Sequence, residues 1–366
     1  MPSADELAIL RALPLEVKIQ KSKQRIREWL EREDSCVAFS GGKDSTVLAH
    51  LVHQVDPNVP LVFSNTGLEY QAIQSFARKM GAEFIRPEMR FDEVISTYGY
   101  PIIAKDVAQA CYYARRIRNG KQEKETKRAR NRFAGLELKN AEHMFFAGDY
   151  KDHQCEKSIY NKEKWLPAAR DLQFNISHYC CQKMKKSPMQ KYQRKTGRSP
   201  IVGTLTEESR SRKQAWIRRG CNAFDGSHKQ STPLAFWTNQ DILQYIKANN
   251  LEICSVYGDV VEKDGKLRCT RCQRTGCVFC CFGAHQKDDR RFHELARISP
   301  RQYEYAMGGG QWVDNPRYDP TAPEYDGEWK NWNPKKIWVP SKQGLGLGKV
   351  IADFNEMYPK NKISLP

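Results

Sequence analysis

Short apolar runs alternate along the chain with longer stretches in which apolar residues recur every three or four positions. The runs at 36–39 (CVAF), 61–63 (LVF) and 83–85 (EFI) read as strands, and residues 44–55 and 71–80 between them read as helices. Strand and helix in alternation predict an α/β fold with a parallel, doubly wound sheet, because each helix carries the chain back to begin the next strand in the same direction. Ahead of the first strand, residues 13–32 place leucine, valine and isoleucine at helical spacing among charges and predict an amphipathic helix. The strand pattern returns at 143–147 and 201–203, followed by helical patterns over 207–219 and 239–249. This divides the chain into a helical arm (1–34), a core (35–255) with a basic helical insertion at about 112–140, and a region rich in cysteine and aromatics (256–366).

Charge changes the picture. Across 366 residues there are 60 Lys and Arg against 43 Asp and Glu, a formal net charge of +17, which points to a polyanionic partner or substrate or, more simply, to a generally basic solvated surface. The run at 115–132 (RRIRNGKQEKETKRARNR) is the densest basic stretch and reads either as a solvated face or as a track for a phosphate backbone. The segment 308–344 interleaves Trp312, Trp329, Trp332 and Trp338 with lysines, a pattern that suits base stacking or, more simply, a small core of its own. No apolar stretch approaches the ~20 residues of a membrane span, and the opening MPSADELAIL is not ordered like a signal peptide, so a cytoplasmic protein is expected.

In that compartment twelve cysteines are expected to bind metal rather than form disulfides. RCTRCQRTGCVFCCFGAH supplies Cys269, Cys272, Cys277, Cys280 and Cys281, and two CxxC turns each present two thiolates from one tight bend. HYCCQKMKKSP adds Cys180 and Cys181, followed by Lys183, Lys185 and Lys186. Read locally, Cys269, Cys272, Cys277 and Cys280 form a Zn²⁺ knuckle. If Cys180 and Cys181 ligate in place of Cys269 and Cys272, a surplus thiol such as Cys272 or Cys281 is open to carrying a persulfide, since thiolates next to positive charge are reactive. His285 and His293 form no ligand pair and read as structural.

The hexapeptide SGGKDS (Ser40, Gly41, Gly42, Lys43, Asp44, Ser45) lies where a strand hands over to a helix. Unpaired N–H groups at a helix start attract an anion, the glycines let the backbone approach it, and Lys43 adds a full charge. Asp44 repels phosphate, so its place in the loop implies a cation such as Mg²⁺ between the two. In this context the hexapeptide resembles the PP-loop of the ATP pyrophosphatases, which grip ATP and cleave between its α- and β-phosphates. NTGLEY (65–70), YGYP (98–101), GTLTEESRSR (203–212) and STPLAFWTNQDILQYI (231–246) resemble blocks of the phosphoadenosine-phosphosulfate reductase family within that superfamily.

The resemblance implies a Rossmann-like sheet of the PP-loop type. It implies nucleotide binding by Ser40 to Ser45, Thr66, Gly67, Glu208, Ser209 and Arg212, with Lys43, Asp44 and Arg212 in the catalytic role. It also implies a [4Fe-4S] cluster on Cys180, Cys181, Cys277 and Cys280, as in the iron–sulfur adenylyl-sulfate reductases. Leu205 stands where the family commonly has an arginine. Sulfonucleotide reductases generally lack the loop lysine and carry a Glu-Cys-Gly motif near the C-terminus, whereas this chain keeps Lys43 and ends NEMYPKNKISLP. The expectation is therefore an enzyme that cleaves ATP to AMP and pyrophosphate, adenylating a nucleic acid for sulfur transfer from a donor protein or persulfide. Sulfonucleotide reduction, and a zinc-knuckle nucleic-acid-binding module with an inherited nucleotide pocket, stand as the alternatives.

Overall fold

The computed structural model describes residues 2–118, 162–225, 229–316, 318, 320–321 and 334–366. Contacts gather the chain into two units, one of residues 1–88 and 183–277 and one of residues 89–182 and 278–366.

The first unit is built on a six-stranded sheet. Its strands are β1 (Ser35–Phe39), β2 (Leu61–Ser64), β3 (Glu83–Ile85), β4 (Ser199–Val202), β5 (Asn222–Ala223) and β6 (Gln230–Ser231), in the spatial order β3-β2-β1-β4-β6-β5. All neighbours are parallel except β5 with β6. The expected doubly wound α/β architecture is present. β1 is nearly all buried, as a central parallel strand must be, while β3 at the sheet edge is not. Order reverses at β1, with β2 and β3 on one side and β4 on the other, so the crevice beyond the carboxyl ends of β1 and β4 is the switch point where open α/β sheets bind ligands.

Helix Leu15–Leu30, which the periodicity placed at 13–32, turns Ile26 and Trp29 inward to full burial. Its Lys18 Nζ donates to Asp241 Oδ2 at 2.7 Å, and the Trp237 indole N–H donates to Ser22 Oγ at 2.9 Å. The helical pattern at 207–219 proves to be two pieces, a 3₁₀ turn Thr206–Glu208 and a helix Arg210–Arg219. Ser209 separates them with extended backbone, and its hydroxyl accepts from the Arg212 N–H as an N-cap.

In the second unit strand Cys281–Phe282 pairs in parallel with Ile102–Ile103, and helix Lys105–Arg118 follows directly. Arg115 opens the basic run, yet it is buried: its guanidinium donates to the carbonyls of Ala168, Ala169, Leu172 and Phe174. At this residue the run is neither a solvated face nor a phosphate track. It is a clasp on the carbonyl end of helix Leu166–Arg170. The rest of the basic insertion beyond 118, the strand expected at 143–147, Lys330, Trp329 and Trp332 fall outside the described residues.

Strands Gln311–Asp314 and Lys336–Val339 form an antiparallel pair. Ile337 and Val339 are buried against Val313, and Trp312 meets Trp338 edge-on at 5.4 Å. This part of the aromatic segment thus has a small core of its own. Among the described residues no helix is long and apolar enough to cross a membrane.

Candidate phosphate-binding site and cysteine centres

The loop after β1 is shaped by its two glycines. Gly41 has φ +68°, and a Cβ there would stand 2.8 Å from Ile73 Cγ2, so both conformation and space require glycine. Gly42 caps helix Lys43–His53 with no side-chain hydrogen bond, leaving the helix start to backbone N–H groups. Ser45 Oγ donates to the Gly42 carbonyl at 2.8 Å and lies 3.0 Å from Ser40 Oγ, which ties the two ends of the hexapeptide together. Lys43 is only 4% exposed, and its ammonium donates to Asp44 Oδ1 at 2.8 Å. A buried cation at a helix N-terminus works against the helix dipole and serves an anion better than it serves the fold.

The loop after β4 meets this one. A Cβ at Gly203 would come within 3.1 Å of the Asp44 carbonyl, so the backbones touch at the switch point. The same loop presents Glu208, Ser209 and Arg212. Glu208 pairs with Arg212, and its other oxygen accepts from Arg274 Nη2 at 2.7 Å. Burial first, then the neighbouring Arg274, push the Arg212 guanidinium below its usual pKa, with Asp44 acting in the opposite sense. Arg212 is therefore within electrostatic reach of the loop aspartate. Leu205 is fully buried, and the guanidinium groups of the site come from Arg212 and Arg274.

Thr66 and Gly67 follow the carboxyl end of β2. Thr66 Oγ1 donates to Glu69 at 2.6 Å and accepts the Leu68 N–H, while Gly67 takes φ +74° with open space at its Cβ position. Ser64 at the end of β2 donates to the Met184 carbonyl at 3.2 Å, which sets the Lys183–Lys186 turn at that end of the sheet.

Three participants were not singled out from the sequence. The Tyr257 hydroxyl lies 2.5 Å from Thr275 Oγ1 and takes a backbone hydrogen bond at Lys43; burial raises its pKa. A Cβ at Gly42 would meet that hydroxyl at 3.2 Å and Thr275 Oγ1 at 3.5 Å. Arg274 is the third. The only signal for Arg274 and Thr275 was their position inside a cysteine stretch, where metal ligation claimed the reading.

The cysteines separate into groups. Burial pushes the Cys36 and Cys111 thiols up to about 12, which makes them inert core residues. Cys269 and Cys272 are buried in the first unit. Burial raises the Cys269 thiol, Lys43 draws it down and Asp44 raises it, so it sits within electrostatic reach of the glycine loop. Cys180, Cys181 and Cys280 belong to the second unit, while Cys277 is the last residue of the first. Cys180 Sγ and Cys181 Sγ are 4.0 Å apart. Burial raises the Cys280 thiol, with Arg291 and Lys105 lowering it and the Cys181 charge raising it further.

Thiolates have the donor chemistry of an iron–sulfur cluster, but among the described residues no three His, Cys, Asp or Glu side chains converge at metal-binding spacing. His285 packs edge-on against Trp165 at 5.1 Å, and His293 Nε2 hydrogen-bonds Ser364 Oγ at 2.7 Å. Both histidines have structural surroundings, as expected.

Among solved structures, the chain is similar to a phosphoadenylyl-sulfate reductase from Candida auris in complex with phosphate, at 13% identity and TM-score 0.34, covering 72% of this chain and 96% of that one. It is also similar to the U34-tRNA thiolase NcsA from Methanococcus maripaludis with its [4Fe-4S] cluster, at 13% identity and TM-score 0.33, covering 78% and 75%. Likenesses this distant say nothing about chemistry. Over 108 residues the chain is 30% identical to an adenosine 5'-phosphosulfate reductase from Staphylococcus haemolyticus, covering 27% of this chain and 44% of that protein. Against the enzyme of the same name from Deinococcus radiodurans it is 29% identical over 108 residues, covering 29% and 40%. The chain thus spans less than half the length of these relatives. The model of the phosphoadenosine phosphosulfate reductase domain matches residues 34–136 and 117–281, well over half of the chain, and it is to this family that the protein belongs.

Proposed function

We propose that the protein is a PP-loop ATP pyrophosphatase that adenylates an oxygen of a nucleic-acid acceptor and so prepares it for replacement by sulfur. The observation that carries this reading is Lys43: a buried ammonium on the first residue of a helix, at the sheet's switch point, with Arg212 in reach of the adjoining Asp44. An acceptor oxygen attacks the α-phosphorus of ATP, the bridge to the β-phosphate breaks, and pyrophosphate departs with the bond electrons. Lys43, the helix N–H groups and Arg212 hold the negative charge that grows on the leaving group, which is where preorganised donors act most strongly. Gly41 and Gly42 let the chain approach those oxygens, and Thr66 and Gly67 border the nucleotide from the end of β2.

Asp44, partly exposed beside Lys43, would hold Mg²⁺, which when bound shields phosphate charge. By the resemblance Cys180, Cys181, Cys277 and Cys280 would hold a [4Fe-4S] cluster, whose four irons these four thiolates would ligate in full and which when bound would supply one-electron redox chemistry. The net charge of +17 supports a nucleic-acid acceptor.

A second reading, reduction of an adenylyl sulfate, draws on the 108-residue likeness to two enzymes of that name. One experiment separates the two. The protein is purified without oxygen and offered ATP with and without tRNA or DNA, or adenylyl sulfate with a thiol reductant. Pyrophosphate and AMP in step support the first reading; sulfite without pyrophosphate would replace it with the second.

A further inference from the structure

We infer that Arg274, carried by the cysteine-rich segment, is a second arginine of the polyphosphate site and governs affinity for the pyrophosphate end of the nucleotide. The inference rests on the proposed ATP reading and deepens it.

Arg274 and Arg212 converge on the two oxygens of one carboxylate, that of Glu208, although 62 positions separate the two arginines in the chain (274 − 212). The Glu208 side chain is mostly buried, whereas Arg274 is 69% exposed. An ion pair so open to water contributes little to stability, so the fold has small need of Arg274 there. Bringing two guanidinium groups together also has a cost: burial first, and then the nearby Arg274, lower the Arg212 pKa. With Lys43 and Asp44 included, three cations face two carboxylates, and an entering phosphate relieves the excess. Glu208 holds both forks near the loop until phosphate oxygens offer them the planar, paired acceptors they match best. The neighbouring Thr275, hydrogen-bonded to Tyr257 over Gly42, fixes the segment beside the loop, so Arg274 has a short anchored tether.

The test is calorimetric titration of the full chain, prepared without oxygen, with ATP, AMP and inorganic pyrophosphate. Arg274→Ala is expected to weaken ATP and pyrophosphate about tenfold, the loss of one charge-assisted contact. AMP binding should stay within about twofold, and Arg274→Lys should recover part of the loss. If Arg274→Ala binds ATP as tightly as the unaltered protein while Lys43→Met does not, Arg274 has no such role and the reading of the loop survives. If AMP weakens as much as ATP, the residue serves the fold and the inference fails. If the unaltered protein binds neither ATP nor pyrophosphate, the inference falls together with the proposed function.

Discussion

Replacing Lys43 by methionine removes one charge and little else. The side chain is almost wholly buried, so a methionine of similar length keeps the packing of the stem. The one hydrogen bond described for its ammonium goes to Asp44, whose side chain is 25% exposed and can turn to water. Loss of that pair should therefore destabilise the protein by only about 1 kcal/mol. The effect on chemistry is larger: a preorganised donor facing a departing anion is worth about 3–4 kcal/mol, roughly a hundred- to a thousandfold in turnover. The assay is release of labelled pyrophosphate from ATP at saturating acceptor, with a melting curve recorded on the same sample. Expected are a melting temperature within a few degrees of the parent, unaltered visible absorption from any cluster, and turnover down at least a hundredfold. Turnover within threefold of the parent, at normal stability, would refute the assignment of the loop.

Three further outcomes follow from other parts of the molecule. Arg115→Met should lower stability by about 3–5 kcal/mol, because it leaves four carbonyls that a guanidinium now satisfies, and chemical denaturation will read this directly. Anaerobic Cys180→Ala protein should lose iron and its visible absorption while Cys272→Ala keeps both; elemental analysis finding zinc and no iron in the parent would overturn the cluster assignment. Burial first, then Lys164 and Arg291, lower the His285 pKa, so the unfolded chain takes up the proton more readily. Stability is then complete above about pH 6.5 and declines as pH falls toward the folded value, and His285→Phe should flatten that decline in melting curves taken from pH 7 to 5.

The central strands could be read from sequence because a strand buried on both faces is a bare apolar run, as at β1 and β2, and the glycine loop because glycine, lysine and serine at a strand end have a local physical meaning. The gap at Ser209 was harder to see: the charged residues around it all favour helix, and only the hydroxyl bond to the Arg212 N–H gives the serine away as a cap. Arg115 reads as one cation in a row of them, since nothing nearby in sequence announces the carbonyls of Ala168 to Phe174 that enclose it. Tyr257 and Thr275 reach the glycine loop from more than 200 residues downstream, and Arg274 meets Glu208 from 66 residues away, and contacts of such span leave no periodic trace in the chain.

The pairing of β1 with β4 sets a condition on how the protein comes into being. Ser35 aligns with Ser199, so a nascent chain completes β1, β2 and β3 long before the strand that closes β1's other side exists. Until then one flank of β1 offers unmatched N–H and C=O groups to any strand nearby, the situation in which sheets mispair or aggregate. Slowing translation just ahead of residue 199 should accordingly raise the yield of insoluble protein, while the same delay placed after β4 should not.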